Sequence, residues 1–361
     1  MSARGYAGAV TATHPRSRSP AAKRSAPLTV AVTGPTGDIG RSLLRALDRR
    51  REVGRVVAMA RRPFDPTELG LRKTEYRQGD VLDRAAVEDV VAGADVVVHL
   101  AFLIMGDIEE TTAINLKGSR NVFEAAVAGG ASRLVYTSSV AAYGFHADNP
   151  PLLTEDTPPR GTEQHYYSAQ KASLEGVLKD VAGGGGTDAY VFRPCIVAGP
   201  DALALLENIP YIKLSGRMPA AVLRVLEHVP VLKPVIPDPG VPFQLVHHDD
   251  VATALRAAVL GRGEPGVYNL AAEDPLTVGD LADALGWHSI PIPELGVDAA
   301  AGLVARLPFL PAEAQWIEAF REPALMDARK ARSKLRWRPR HSARETLQAM
   351  VDAARSERLI R

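Results

Sequence analysis

The sequence predicts an α/β protein built on a doubly wound parallel sheet, a Rossmann arrangement, with a smaller C-terminal substrate-binding lobe. Three observations carry that reading. Short runs rich in Val, Ile and Leu ("LTVAVTG", "RVVAMA", "DVVVHLA", "RLVYTSS" and "AYVFRP") alternate with stretches of helical period. These runs are apolar nearly throughout rather than on every second residue, the pattern of strands covered by helices on both faces. The first run leads into "TGPTGDIG", with Gly34, Gly37 and Gly40, directly ahead of a helix. A strand–turn–helix junction of this kind leaves backbone N–H groups open to an anion, most often a phosphate.

Taken in order, "LTVAV" is the first buried strand. The helix after the glycines covers about Asp38–Arg50, with Ile39, Leu43, Leu44 and Leu47 at helical spacing. Further helices are expected near Ala85–Ala92, Glu109–Ala128 and Gln164–Val181, and "GGGG", Gly183 to Gly186, reads as a surface loop. After Pro194 the pattern changes: the dense Pro and Leu of residues 201–240 predict short helices broken by prolines. "FQLVHHDDVATALRAAVL" reads as a strand running into a helix and "GVYNLA" as another strand. "TVGDLADAL" reads as a helix capped by Thr277, and a last helix spans roughly Ala343 to Glu357. The expected division is a dinucleotide-binding domain over 28–194 and a lobe over 195–361, with about 241–275 returning to the first domain. Residues 1–27 carry Arg4, Arg16, Arg18, Lys23 and Arg24, no acid and no apolar core of a secretory signal. They read as a disordered basic tail, an over-long start or, on composition, a transit peptide.

Composition narrows the function. Of 361 residues, 46% are hydrophobic and 24% charged, with a net charge of +1. This balance gives no general case for nucleic acid or an acidic membrane. No 18-residue apolar run is present, and "VVVHLAFLIMG" is too short to span a bilayer. The single cysteine, Cys195 in "RPCIV", reads as inert core and fits a cytoplasmic compartment.

Two further clusters carry chemistry. In "VYTSSVAAYG", Ser138 and Ser139 fall at a strand's carboxyl end, on the edge where the glycine loop lies. In "YYSAQKASLE", Tyr167 and Lys171 stand four apart, on one helix face. An ammonium beside a phenol stabilises the phenolate, so the Tyr167 pKa is expected to fall from near 10 toward working pH. "HHDD", His247 to Asp250, invites a metal reading; adjacent residues on a strand or helix are not expected to converge on one ion, so none is assigned.

With these pieces in hand, the chain resembles the extended short-chain dehydrogenase/reductase family, relatives of NAD-dependent epimerases and dehydratases. The resemblance rests on "TGPTGDIG", "GDVLD", "VVHLA", "NLKGSRNVFEAA", "YTSSVAAYG", "YSAQK", "FRPCIVAGP", "FQLVHHDDVA" and "GVYNLA", and covers about Leu28 to Arg355. It implies Tyr167 as general acid/base and Lys171 as its partner and holder of the nicotinamide ribose. It implies Ser139, rather than Ser138, as the substrate-orienting hydroxyl, and Asn115 as anchor of a water relay to the lysine. The implied cofactor contacts are Gly34, Thr36, Gly37, Asp38, Ile39 and Gly40 in the glycine loop, Asp80 and Val81 at the adenine, Leu100 and Ala101 beside the ribose and pyrophosphate, and Pro194 and Ile196. Where relatives that bind NAD(H) place an acid, this chain has Ala60 followed by Arg61 and Arg62, which favours the 2′-phosphate of NADP(H) over NAD(H).

The resemblance implies an NAD(P)-dependent oxidoreductase acting on a small-molecule carbonyl or secondary alcohol. The alternatives are a nucleotide-sugar epimerase or dehydratase and a non-catalytic cofactor-binding scaffold. Val140, Ala141 and Ala142 stand where a dehydratase commonly carries acids. Leu203, Leu205, Leu206, Ile209 and Tyr211, then Val222, Leu223, Val225 and Leu226, predict an apolar pocket wall, amid the cations Lys213, Arg217, Arg224 and Lys233. A homodimer packed through the Glu109–Ala128 and Gln164–Val181 helices is the expected assembly.

Overall fold

The computed structural model describes residues 26–104, 106–163, 165–207, 209, 211–212, 233–291 and 322–360. The basic segment before residue 26 and the apolar and basic residues expected at 213–232 lie outside them.

A seven-stranded parallel sheet forms the centre, in the order β10-β6-β5-β4-β1-β2-β3. Its strands are β1 (Leu28–Thr33), β2 (Val53–Ala60), β3 (Thr74–Gln78), β4 (Val96–His99), β5 (Arg133–Thr137), β6 (Asp188–Pro194) and β10 (Gly266–Leu270). Strand order reverses between β1 and β4, whose registered pairs run from Val30↔Val96 to Thr33↔His99, and a crevice outside the carboxyl ends of such strands is where ligands bind in this class of sheet. β4 is buried at every residue, which is why it reads as an unbroken apolar run. β3 escapes sequence reading because it is the edge strand: "TEYRQ" is only half-buried and mostly polar.

Helix α1 (Asp38–Asp48) buries Leu43, Leu44 and Leu47 against one face of the sheet. α2 (Arg84–Val91) packs on the other. The helix expected over Glu109–Ala128 is three segments: α3 (Ile108–Thr112), a π-helical turn over Ala113–Gly118, and α4 (Ser119–Ala128). Such π turns recur at functional sites; this one contains Asn115. α5 (Tyr166–Ala182) follows, beside α4.

Beyond Cys195, the chain both returns to the sheet and builds a second core. β10 pairs with β6 along the sheet edge, and α7 (His248–Val259) packs on α1. Two small parallel pairs form, β7 (Ile196–Ala198) with β9 (Leu245–His247), and β8 (Val235–Asp238) with β11 (His288–Pro291). Between β7 and β8 lies α6 (Ala204–Glu207). α8 (Val278–Leu285) and, after α9 (Arg329–Lys334), α10 (Ala343–Ser356) each start in a capping box, Thr277 with Asp280 and Ser342 with Glu345. Leu206, Phe243, Leu281, Leu347 and Met350 fill the core between these elements.

The three loop glycines serve two needs. Gly34 has φ +77°, and a Cβ there would stand 2.6 Å from the Ala101 backbone nitrogen. A Cβ at Gly40 would stand 2.3 Å from the Gly34 carbonyl oxygen. At these two positions bare backbone meets bare backbone within the protein. Gly37 differs: the nearest atom to its missing Cβ, the Gly34 oxygen, is 3.8 Å away, so its side of the loop is open. Gly34→Ala combines a left-handed backbone with overpacking and is expected to cost about 2–4 kcal/mol of stability. Gly37→Ala should change stability by less than about 1 kcal/mol. Urea unfolding of the two variants checks the contrast; equal losses would contradict it.

Candidate active site

α5 presents three polar residues at four-residue spacing toward the ends of β5 and β6: Tyr167, Lys171 and Glu175, all buried. Glu175 receives a bidentate bond from the β6 residue Arg193, Nε to Oε1 at 2.9 Å and Nη2 to Oε2 at 2.5 Å. Ser138 Oγ donates to Glu175 Oε1 at 2.6 Å. Arg193 also lies 4.3 Å from the Tyr143 ring centroid. This buried, mutually satisfied pair fixes the helix against the sheet.

One turn earlier, Lys171 Nζ donates to the Thr137 carbonyl at 2.9 Å and toward the Tyr136 hydroxyl at 3.5 Å. Burial pushes its pKa down to about 7, with Glu175 acting against the shift. Its ammonium also sits 3.7 Å from the Phe102 ring centroid.

One further turn back, Tyr167 lies by Ser139, close enough for the serine hydroxyl to pull on its titration. The two serines are thereby separated in role: Ser138 belongs to the Glu175–Arg193 pair, and Ser139 to Tyr167. Ser139 Oγ also accepts from Ala141 N at 3.2 Å, starting the turn Val140–Tyr143. The Tyr167 pKa departs from expectation. Burial raises it to about 12, with the Ser139 bond pulling it down and Tyr166 pushing it up. The lysine does not lower it, because Nζ points at Thr137 and Phe102 and lies 5.8 Å from the Tyr167 ring centroid.

The Asn115 side chain is committed within the protein. Its Oδ1 accepts from Leu103 N at 2.8 Å, while Nδ2 donates to the Leu103 carbonyl at 2.9 Å and to Gln170 Oε1 at 2.8 Å. Both amide hydrogens are thus spent, and the side chain pins the loop after β4 to α5. Any relay would have to use the residue's backbone.

At the cofactor end, α1 begins with Gly37 as N-cap and no side chain satisfies its first N–H groups. With the open side of Gly37, this is a cradle that fits a pyrophosphate. Thr36 and Asp38 line a groove of about 840 Å3 that includes Arg41, Arg62 and Asp201. Burial raises the Asp38 pKa; His248 and Arg41 oppose the rise while Glu207 and Asp201 add to it. Ile39 packs on the core and Gly40 under the loop. Leu100 and Ala101 touch Gly34 by backbone. Asp80 Oδ1 accepts from Leu82 N at 2.9 Å, and Val81 is buried beneath Gly118. Pro194 and Ile196 flank Cys195 at the end of β6; the thiol is buried and its pKa pushed up by that burial.

The arginines after β2 divide. Arg61 Nη1 pairs with Glu110 Oε1 at 3.0 Å, while Arg62 faces the groove with Arg41. Their turn is held by the unforeseen β3: Tyr76 OH donates to the Ala60 carbonyl at 2.8 Å and to the Arg62 carbonyl, and Gln78 Nε2 to the Arg61 carbonyl at 2.9 Å.

The "HHDD" expectation is corrected in its geometry. Where β9 turns into α7, His247, His248 and Asp249 bring ligand atoms within 4.8 Å of one another. Their acceptor nitrogens are nonetheless committed. His247 Nδ1 accepts from Asp249 N at 3.1 Å, and His248 Nε2 from Asp201 N at 3.3 Å, with Nδ1 2.8 Å from Ser42 Oγ. A neutral imidazole has one acceptor nitrogen, so this cluster joins α7 to α1 and to the Asp201 segment.

Sequence reasoning missed Phe102, Glu175 and Arg193. Glu175 was within reach, standing four residues past Lys171 on the same face. Phe102 carries no spacing signal.

Comparison with known proteins follows this geometry. A family model described as "NAD dependent epimerase/dehydratase family" matches residues 30–271. Sterol demethylase protein B of Methylococcus capsulatus is 31% identical over 212 residues, 56% of this chain and 62% of that protein. Human 3 beta-hydroxysteroid dehydrogenase type 7 is 35% identical over 162 residues, 42% of this chain and 44% of that one. A dTDP-glucose 4,6-dehydratase of Streptomyces venezuelae, solved with NAD bound, superposes with TM-score 0.67 at 21% identity, covering 92% of this chain and 98% of its own; it shows the shared fold.

The buried lysine yields a pH prediction. The unfolded chain holds this proton up to about 10.5 and the folded protein only to about 7. Between those values the unfolded state binds more protons, so the residue's cost to stability is full below pH 7 and fades as pH rises toward 10.5. Lys171→Met should therefore stabilise the protein by at least about 1 kcal/mol at pH 7 and by clearly less at pH 9.5. Urea unfolding at both pH values measures this; a variant gain that does not shrink with pH would contradict it.

Proposed function

The chain belongs to the NAD-dependent epimerase/dehydratase family, and on that premise we propose that it is an NAD(P)-dependent oxidoreductase. It transfers hydride between a nicotinamide cofactor and a carbonyl or secondary alcohol of an apolar small molecule. The observation that carries this reading is the juxtaposition of Tyr167 and Ser139 at the ends of the strands, with Lys171 one turn away.

When bound, the dinucleotide supplies the hydride acceptor or donor. The chain does the rest. The N-terminus of α1 and the open face of Gly37 hold the pyrophosphate. Lys171 supplies a cation beside the ribose, and Leu100 and Ala101 a backbone wall. Ser139 holds the substrate oxygen, and Tyr167 Oη gives that oxygen a proton or takes one from it. A tyrosine with a pKa near 12 keeps its proton at neutral pH, which suits the donating direction, carbonyl reduction.

The surroundings support an apolar substrate. Phe102 meets Tyr167 edge-on at 5.5 Å between centroids, and His165 joins Phe145 to Tyr167 at 5.5 and 6.2 Å. Ile104, whose carbonyl accepts from Tyr166, is exposed. Two of the relatives are named for sterol or steroid substrates. Val140, Ala141 and Ala142 follow Ser139, with no acid among them, which weighs against dehydration. The second reading is nucleotide-sugar epimerisation with the same Ser, Tyr and Lys, which the family also contains.

We also propose NADP(H) as the preferred cofactor, a homodimer paired through α4 and α5, and a cytoplasmic location. Among the described residues no helix is long and apolar enough to cross a membrane. A cavity of about 280 Å3 lies between Leu116, Lys117, Arg120, Ser173, Leu174 and Val177 on the proposed dimer face.

Tyr167→Phe should leave the fold and cofactor binding intact and slow turnover by about 10²–10⁴-fold. Wild-type turnover of this variant on a confirmed substrate would rule the mechanism out. Titration should show NADPH bound more tightly than NADH, and Arg61→Ala should erase most of the preference, a charge-assisted bond contributing about 1.5–3 kcal/mol. Glu110→Ala frees Arg61 from an exposed pair of little intrinsic strength and should widen the preference. NADH affinity equal to or better than that for NADPH would reject the assignment.

A further inference from the structure

The loop after β4 is fastened at two successive residues. Asn115 grips Leu103 through both its N–H and its carbonyl. The Tyr166 hydroxyl, one residue before Tyr167, donates to the Ile104 carbonyl. Directly before these anchors, the Phe102 ring lies over Lys171, with Nζ 3.7 Å from its centroid, and touches Tyr167 edge-on. Lys171 has three donor hydrogens. One goes to Thr137 O, one toward Tyr136 OH, and Phe102 covers a further approach to the nitrogen.

We propose that residues 102–104 form a strap, pinned by Asn115 and Tyr166, and that Phe102 is a positioning residue that keeps water from Lys171 Nζ and fixes where the ammonium reaches. This gives the Asn115 side chain a function of its own: it acts on the lysine through Phe102. It rests on the reading of Lys171 as the cation of the site, but its test reads the lysine directly and needs no turnover.

The titratable and charged groups facing Nζ are Tyr136 from β5, His99 from β4, and Tyr167 and Glu175 from its own helix. His99 is bonded at both ring nitrogens, to Thr33 Oγ1 at 2.7 Å and Ser119 Oγ at 2.8 Å, and burial lowers its pKa to about 3; it stays neutral across the range of interest. Tyr136, like Tyr167, is pushed up by burial. Glu175 is already held by Arg193. The ring of Phe102 exerts two opposed effects on the ammonium. It attracts the charge, and it excludes water, which favours the neutral amine. Burial is the largest cause of the lysine's depressed pKa, and Phe102 is the ring that covers Nζ, at 3.7 Å from its centroid; we take exclusion as the larger of its two effects.

The test is the Lys171 titration in full-length protein labelled with ¹³C-lysine, its signal assigned by loss in Lys171→Arg. Phe102→Ala admits water and should raise the Lys171 midpoint by about one pH unit or more. Phe102→Leu keeps water out but removes the π face, and should lower it by about half a unit. Phe102→Tyr restores both properties and should return it to the wild-type value. A fall with Phe102→Ala, or midpoints within about 0.3 unit of wild type for both Ala and Leu, would overturn the proposal. If Phe102→Ala does not fold, Phe102→Leu decides alone, an unchanged midpoint counting against it. Failure of the Tyr167→Phe kinetics would leave these midpoints untouched, so the two readings fail separately.

Discussion

Removing an ammonium from water is costly unless the surroundings replace the lost hydration, and the site of this protein is organised around one such group. Lys171 is 3% exposed. A backbone carbonyl at the end of β5, a phenol and an aromatic face meet it. None of these carries a full negative charge, and the nearest carboxylate, Glu175, is bound by Arg193. The lysine is therefore held poised, its pKa near 7. That poise requires α5 to be fixed against the sheet, which the Glu175–Arg193–Ser138 network does. It also requires the strap to be fixed against α5, which Asn115 and Tyr166 do.

The same arrangement explains why the serines, the tyrosine and the glycine loop meet. All of them sit at carboxyl ends of parallel strands or at the start of the helices that follow. The reversal of strand order between β1 and β4 opens the crevice there. Gly34 lets the loop after β1 press on the backbone of Ala101 after β4. Gly37 has room for a Cβ, 3.8 Å from the Gly34 oxygen.

Much of this was legible in the sequence, for physical reasons. β1, β4, β5 and β6 are buried on both faces and so appear as apolar runs; α1 shows its buried leucines at helical spacing. Thr277 appears at the head of its helix because capping requires such a side chain. What failed to show has equally definite causes. β3 is a half-polar edge strand. The π turn at Asn115 adds backbone geometry that no spacing rule encodes. The Tyr167 pKa was expected to fall because sequence spacing places Lys171 on the same face, but it does not say where a four-carbon side chain points; the carbonyl of Thr137 and the ring of Phe102 decide that. In the sequence, Ser138 and Ser139 are told apart only by the family resemblance; in the fold, Glu175 takes Ser138 and Ser139 lies by Tyr167.

The central claim is that this geometry serves redox chemistry on an apolar carbonyl or alcohol. The aromatic rings of Phe102, Phe145 and His165 around Tyr167 favour it, since among the described residues they offer a nucleotide diphosphate little to replace its lost hydration. The most direct measurement is competition binding to cofactor-loaded protein, setting UDP- and dTDP-sugars against apolar ketones of similar size. The account predicts that the ketones bind in the micromolar range and the nucleotide-sugars weakly or not at all. Micromolar binding of a nucleotide-sugar, with weak binding of every ketone, would contradict it and assign the site to epimerisation.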